Sequence, residues 1–272
     1  MSMTNNPLQQ PEEGMFRQVT GDLRTRFFDS HFHVIDGRFP LQPNMDYLPP
    51  LFPIEEYRAR TAPFHVLGGA VVSASFQGFD QRYLAAALLE LGPHFVGVAQ
   101  LPASAADEEI IELDNLGVRA VRFNLRRGGS EGLENLENLA WRVSELVGWH
   151  VELYVDSRHL AELTPRLLAL PRVSIDHLGL SQAGLPHLLK LVEQGVWVKA
   201  TGFGRCDFDI AEALQKLYAA NPRALVFGTD LPSTRAPRPF MDADVTLVEE
   251  ILGEQGARHV LYENALKLYH IA

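Results

Sequence analysis

The chain has 272 residues, 46% of them hydrophobic and 21% charged, a composition that supports a large buried core and excludes a disordered or fibrous protein. Its formal charge of −10 sets the surface field against nucleic acid and acidic membranes, and the densest basic stretch, residues 119–127, is short and broken by apolar side chains. The single cysteine, Cys206, excludes an internal disulfide, fits a reducing compartment, and reads as a small half-buried side chain rather than a nucleophile.

Residues 1–24 are polar, contain Pro7 and Pro11, and lack the apolar core of a signal peptide, so they are expected to form a flexible arm on a cytoplasmic protein. The first strand is predicted over residues 26–33, RFFDSHFH. An irregular stretch with five prolines follows at residues 34–53. A loop of that length after a strand is expected to act as a lid or pocket wall. Further strands are predicted over residues 65–75, 95–102, 118–124, 150–155, 172–179, 195–202 and 224–230. Between them, apolar residues recur at helical spacing over residues 81–91, 108–116, 136–147, 160–170, 186–194 and 210–219. Strands that alternate with helices pair in parallel, and eight of them close most economically into a single-domain (β/α)8 TIM barrel over residues 25–272. An open doubly wound sheet is the alternative. No apolar run approaches the roughly 20 residues needed to span a bilayer.

His31 and His33 lie two apart on the first strand and therefore project from the same face. Such a pair suits metal binding or a polarised oxygen. His177 ends the sixth strand and Asp230 the eighth. Alone, His177 could be structural and Asp230 could cap a turn. Together with the first pair they converge on the C-terminal rim, where barrel active sites are built. Residues 262–269 predict a short closing helix whose Asn264 caps or staples the barrel end.

The segments DSHFH, DHLG, FGTDLP and ENALKLY, in this order and spacing, resemble the amidohydrolase superfamily over residues 25–271, and within it the 2-pyrone-4,6-dicarboxylate lactonase-like branch. The resemblance implies a hydrolase that opens a small carboxylated lactone, with Asp230 as general base for water and His31, His33 and His177 around the reacting carbonyl. It also implies contacts to the substrate's anionic groups from Tyr47, Ser75, Arg122, Arg127 or its neighbour Arg126, Tyr154 and Arg205. The competing arrangement for these arginines is exposed pairing with Glu131, Glu134 or Asp156.

Metal-dependent members of the superfamily carry a further histidine at the end of strand five and often a lysine on strand four. This chain has Tyr154 and Arg122 there, and His150 lies four residues back, about 13 Å along an extended strand. No cofactor is therefore expected. If zinc or manganese were bound, His31, His33 and Asp230 would hold it. His65, His94, His187, His259 and His270 are expected to be structural or solvated. Two alternatives stand beside the lactonase: a metal-dependent hydrolase or decarboxylase of a small aromatic-type acid, and a non-catalytic small-anion binding protein.

Overall fold

Eight short runs rich in β-branched and aromatic residues form β1 (Arg26–Phe32), β2 (His65–Val72), β3 (Phe95–Ala99), β4 (Val118–Asn124), β5 (His150–Tyr154), β6 (Val173–Ile175), β7 (Trp197–Ala200) and β8 (Leu225–Phe227). The structure is a computed structural model that describes residues 25–271; the arm expected over residues 1–24 lies outside them. The strands pair in chain order, each parallel to the next. The seam between β8 and β1 is drawn together at its upper end, where Asp230 N donates to His31 O at 2.7 Å and His33 N to Leu231 O at 2.8 Å. Gly228 permits this approach, because a Cβ there would stand 2.5 Å from His31 N. The result is a (β/α)8 barrel and not an open sheet.

The helices are α1 (Ile54–Thr61), α2 (Arg82–Leu91), α3 (Asp107–Asn115), α4 (Leu136–Val147), α5 (Leu160–Leu168), α6 (Leu185–Glu193), α7 (Ile210–Ala220), α8 (Asp242–Arg258) and α9 (Asn264–Leu268). Periodicity identifies α2 to α7 to within two residues at each end. It does not reveal α1, IEEYRART, which buries only Ile54, Tyr57 and Thr61, or α8, whose repeat is broken by Gly253 in a left-handed conformation. Among the described residues no helix is long and apolar enough to cross a membrane.

Two cores result from the two faces of the strands. Alternate residues such as Phe27, Val71, Val121 and Leu153 pack outward against the helices. The opposite set fills the lower barrel with Phe28, Ala70, Val72, Val98, Ala120 and Val226, and Leu268 and Tyr269 close it from below. Asn264 fastens this closure, its Nδ2 donating to Pro222 O at 2.8 Å and Leu225 O at 2.9 Å. Toward the C-terminal ends the inward side chains become polar, with Arg122 level with Glu152 and Glu152 level with Ser174.

Candidate active site

The motif histidine and aspartate expected at the ends of β6 and β8 stand just past them. His177 and Asp230 have φ of 51° and 61°, left-handed conformations that are uncommon for residues other than glycine and gather at functional sites. The turn puts both side chains over the barrel mouth beside His31 and His33. Asp230 Oδ1 is the meeting point: Nε2 of His31, His33 and His177 lie 4.0, 3.8 and 3.9 Å from it. Asp230 Oδ2 accepts from Arg205 Nε at 2.7 Å. Gly202 leaves room for the group, since a Cβ on it would stand 2.7 Å from His177 Nδ1 and 3.1 Å from Asp230 Oδ2.

Burial lowers the pKa of all three imidazoles, and Asp176 opposes the shift at His31 and, less, at His177. The rings are therefore neutral near pH 7, each with one proton and one bare nitrogen. For His33 the choice is decided, because Nδ1 lies 2.7 Å from Val72 O, and a carbonyl can only accept. Its Nε2 is then a bare acceptor aimed at Asp230. His177 Nδ1 meets Thr201 Oγ1 at 2.7 Å, a partner able to donate or accept, so its Nε2 is free to carry the proton.

Neutral burial has a consequence for stability. The unfolded chain takes up protons at each of these histidines below about pH 6.5 while the folded chain does not, so stability falls as pH falls through that value. Asp29 works the other way: burial, resisted by hydrogen bonds from Thr229, raises its pKa to about 6. At about 1.4 kcal/mol per group per pH unit at most, these three histidines and the equally buried His150 outweigh the one carboxyl, leaving a net loss of about 2 to 5 kcal/mol between pH 7.5 and 5.5. Denaturant titrations in the presence of a chelator test this; an unfolding free energy that is flat or rises over that interval would show that the rings are protonated in the fold.

Beneath the histidines lies a buried ionic layer that sequence patterning does not reveal. Arg122 donates to Asp176 Oδ2 from Nε at 3.1 Å and Nη2 at 2.8 Å, and to Ser73 O from Nη1 at 2.8 Å. Burial pushes the Asp176 carboxyl up, but Arg122, with His31 and Lys199, outweighs it and holds it well below the usual range. Lys199 donates to Glu152 Oε2 at 2.5 Å and Ser30 O at 2.9 Å, and its ammonium lies 3.5 Å from His31 Nδ1. Tyr269 and His150 meet the other Glu152 oxygen at 2.9 and 3.3 Å. His150 thus belongs to the barrel floor and not to the mouth, as its place on β5 implies.

The expected anion contacts are distributed unevenly. Ser75, Arg122, Arg127, Tyr154 and Arg205 line one cleft with His33, His177 and Asp230. Arg126 turns away and pairs with Asp156 at 3.4 Å, the arrangement named above as the competitor for these arginines. Tyr47 is not among the cleft-lining residues; its ring lies under the guanidinium of Arg235, 4.7 Å from its centroid. Arg235, from the proline-rich loop after β8, does line the cleft, and no sequence pattern singles it out. The loop of residues 34–53 touches the rim of the cleft, with Asn44 Nδ2 donating to Arg127 O at 3.1 Å. The space open to water in the cleft is about 30 Å³, room for one or two waters.

A divalent ion would find donors here. One atom each of His31, His177 and Asp230 lie within 4.8 Å of one another, and His31 Nε2 and Asp230 Oδ1 are buried without a hydrogen-bond partner. His177 replaces His33 in this grouping, although His33 Nε2 is also within reach of Asp230. The charge around the donors is unfavourable. Four guanidinium groups, from Arg122, Arg127, Arg205 and Arg235, face two carboxylates, Asp176 and Asp230, a surplus of two positive charges before any cation enters.

Two curated relatives match nearly the whole chain. It is 27% identical to the 2-pyrone-4,6-dicarboxylate hydrolase of Comamonas testosteroni, with 95% of this chain and 93% of that protein covered. It is 25% identical to the 4-sulfomuconolactone hydrolase of Rhizobium radiobacter over 90% of each. A Pseudomonas putida crystal structure named for 2-pyrone-4,6-dicarboxylic acid hydrolysis superposes with a TM-score of 0.74 at 27% identity, covering 91% of this chain and 98% of that one. The family model described as amidohydrolase matches residues 28–271, which include the whole histidine–aspartate cluster, and the chain belongs to that family.

Proposed function

We propose that the chain hydrolyses the ring ester of a small lactone that carries carboxylate groups. The observation that carries this reading is the unpartnered Asp230 Oδ1, ringed by three imidazole nitrogens in a cleft with surplus positive charge. The names and coverage of the two relatives support the same class. A reducing, cytoplasmic setting is part of the proposal and rests on the single, unpaired Cys206.

The residues divide the work by what each can donate. Asp230 Oδ1 and His33 Nε2 are both acceptors, 3.8 Å apart, a spacing at which one water can donate a proton to each. Asp230 then takes the water's proton as its oxygen bonds to the ring carbonyl carbon. Arg205 holds the other carboxylate oxygen and keeps Oδ1 turned inward. His177, protonated on Nε2, stabilises the developing oxyanion, joined by His31 in the tautomer whose Nδ1 accepts from Lys199 and does not donate to Asp176. When the ring C–O bond breaks, the proton returns to the departing oxygen. This narrows the part expected of the three histidines: His33, committed to Val72 O, orients water and leaves the oxyanion to the other two. The cleft arginines hold the substrate's carboxylates through charge-assisted contacts.

If a divalent ion were bound, His31, His177 and Asp230 would hold it, and it would supply Lewis-acid polarisation and a more acidic water. The surplus positive charge argues for a reaction that runs without one. Prolonged chelation, followed by assay of carboxylated lactones in metal-free buffer with ring opening and proton release both recorded, should leave turnover within about two-fold, since no step of general-base catalysis needs the ion. Loss of activity that added zinc or manganese restores would overturn the metal-free reading. Absence of turnover on every carboxylated lactone, with and without metal, would overturn the lactonase.

A further inference from the structure

The four cleft arginines are not equivalent. Arg122 is matched by Asp176 and Arg205 by Asp230. Among the described residues, no carboxylate lies within ion-pair distance of Arg127 or Arg235. Arg235 is held entirely by neutral groups: Nη1 donates to Asn44 O at 3.2 Å and Oδ1 at 3.3 Å, and Nη2 to Asn44 Oδ1 at 3.2 Å and Ser75 Oγ at 3.3 Å. Its plane lies over Tyr47, and its Nε is buried with no hydrogen-bond partner. A buried N–H of a charged group left unmade is costly. Arg127 stands near enough to lower the pKa of Arg235, after the larger effect of burial. Two like charges kept together with no acid between them, one with a donor to spare, form an arrangement that an anion completes.

We propose that Arg235 is a specificity-determining residue that selects substrates with a second anionic group, placed away from the ester carbonyl and toward the loop of residues 34–53. This rests on the reading of the cleft as an anionic-substrate site. The inner pair, Arg122 and Arg205, is already committed to carboxylates of the protein, so a single substrate carboxylate near the reacting centre is served by their remaining N–H groups. A second one reaches the outer rim. There the fork of Arg235 is oriented in advance by Asn44, Ser75 and Tyr47, so little side-chain freedom remains to be lost on binding.

Calorimetric titration of the whole protein with benzene-1,3-dicarboxylate and with benzoate tests this without any turnover. Arg235→Gln should weaken the dicarboxylate on the order of 10- to 100-fold and benzoate by less than about three-fold, with Arg235→Lys between parent and Gln. A melting temperature equal to the parent's should accompany these losses, because Arg235 has no ion-pair partner to strand. The KM for a dicarboxylated lactone should rise in step with the dicarboxylate Kd, with kcat nearly unchanged. Equal weakening of both probes, or no weakening of either, would overturn the proposal. If the parent hydrolyses no lactone yet the dicarboxylate alone loses affinity in Arg235→Gln, the reaction assignment fails while the specificity assignment stands; hydrolysis by the parent with no change of selectivity gives the reverse.

Discussion

Asp230→Asn should lower kcat on a carboxylated lactone by on the order of 10²- to 10⁴-fold, the usual cost of removing a general base, while the KM stays within a few-fold of the parent. The substitution is gentle on the fold. Asp230 has a φ of 61°, and asparagine is among the residues that tolerate that region best. The amide oxygen can still accept from Arg205, and the backbone bond from Asp230 N to His31 O does not involve the side chain. Turn capping, the competing role, has no support in the contacts: the carboxylate accepts from a guanidinium and not from a backbone amide of the turn. Asn cannot take a proton from water at neutral pH, so binding should survive and turnover should not. A kcat within a few-fold of the parent, with a normal melting curve, would remove Asp230 from the chemistry and leave His33 Nε2 as the only bare acceptor assigned in the cluster.

What the sequence made legible is what repeats or stands close in the chain. Strands and helices that alternate imply the barrel through period and length, and His31 with His33 implies a shared face through spacing of two. His177 and Asp230 follow because barrels keep their chemistry at strand ends. The ionic layer is different in kind. Lys199 and Glu152 are 47 positions apart, and a lysine in a WVKA run has the pattern of an outward, solvated residue until the barrel closes on it. Arg122 was legible as a charged residue at a strand end, but its partner was not, because Asp176 sits beside the more conspicuous His177. Arg235 lies in a segment without periodicity, where only the folded loop brings it against Tyr47 and Asn44. Pairings across the barrel are set by closure and register, and those are properties of the whole chain.

Arg122→Met offers the second large effect, and it separates support of the barrel wall from contact with substrate. Arg122 and Asp176 are 3% and 0% exposed, and Asp176 Oδ1 already lacks a hydrogen-bond partner. Methionine keeps much of the length of the arginine stem but leaves a carboxylate buried with no guanidinium beside it. Breaking one side of such a pair costs about 3 to 5 kcal/mol, which for a chain of this size lowers the melting temperature by on the order of 10 °C. Asp176→Asn introduced into the Arg122→Met background removes the stranded charge and should recover a substantial part of the loss, so the pair should be non-additive by more than about 1 kcal/mol in a double-mutant cycle. The guanidinium also lines the cleft, with two N–H groups not committed to Asp176 or Ser73. The folded fraction of Arg122→Met should therefore bind a dicarboxylate more weakly than the parent while a neutral lactone of similar size changes little. If the melting temperature moves by less than about 2 °C and only anion affinity falls, Arg122 is a substrate contact whose bond to Asp176 contributes nothing measurable to the fold. If stability falls and the anionic and neutral lactones lose equally, Arg122 supports the wall alone, and carboxylate recognition passes to Arg127, Arg205 and Arg235.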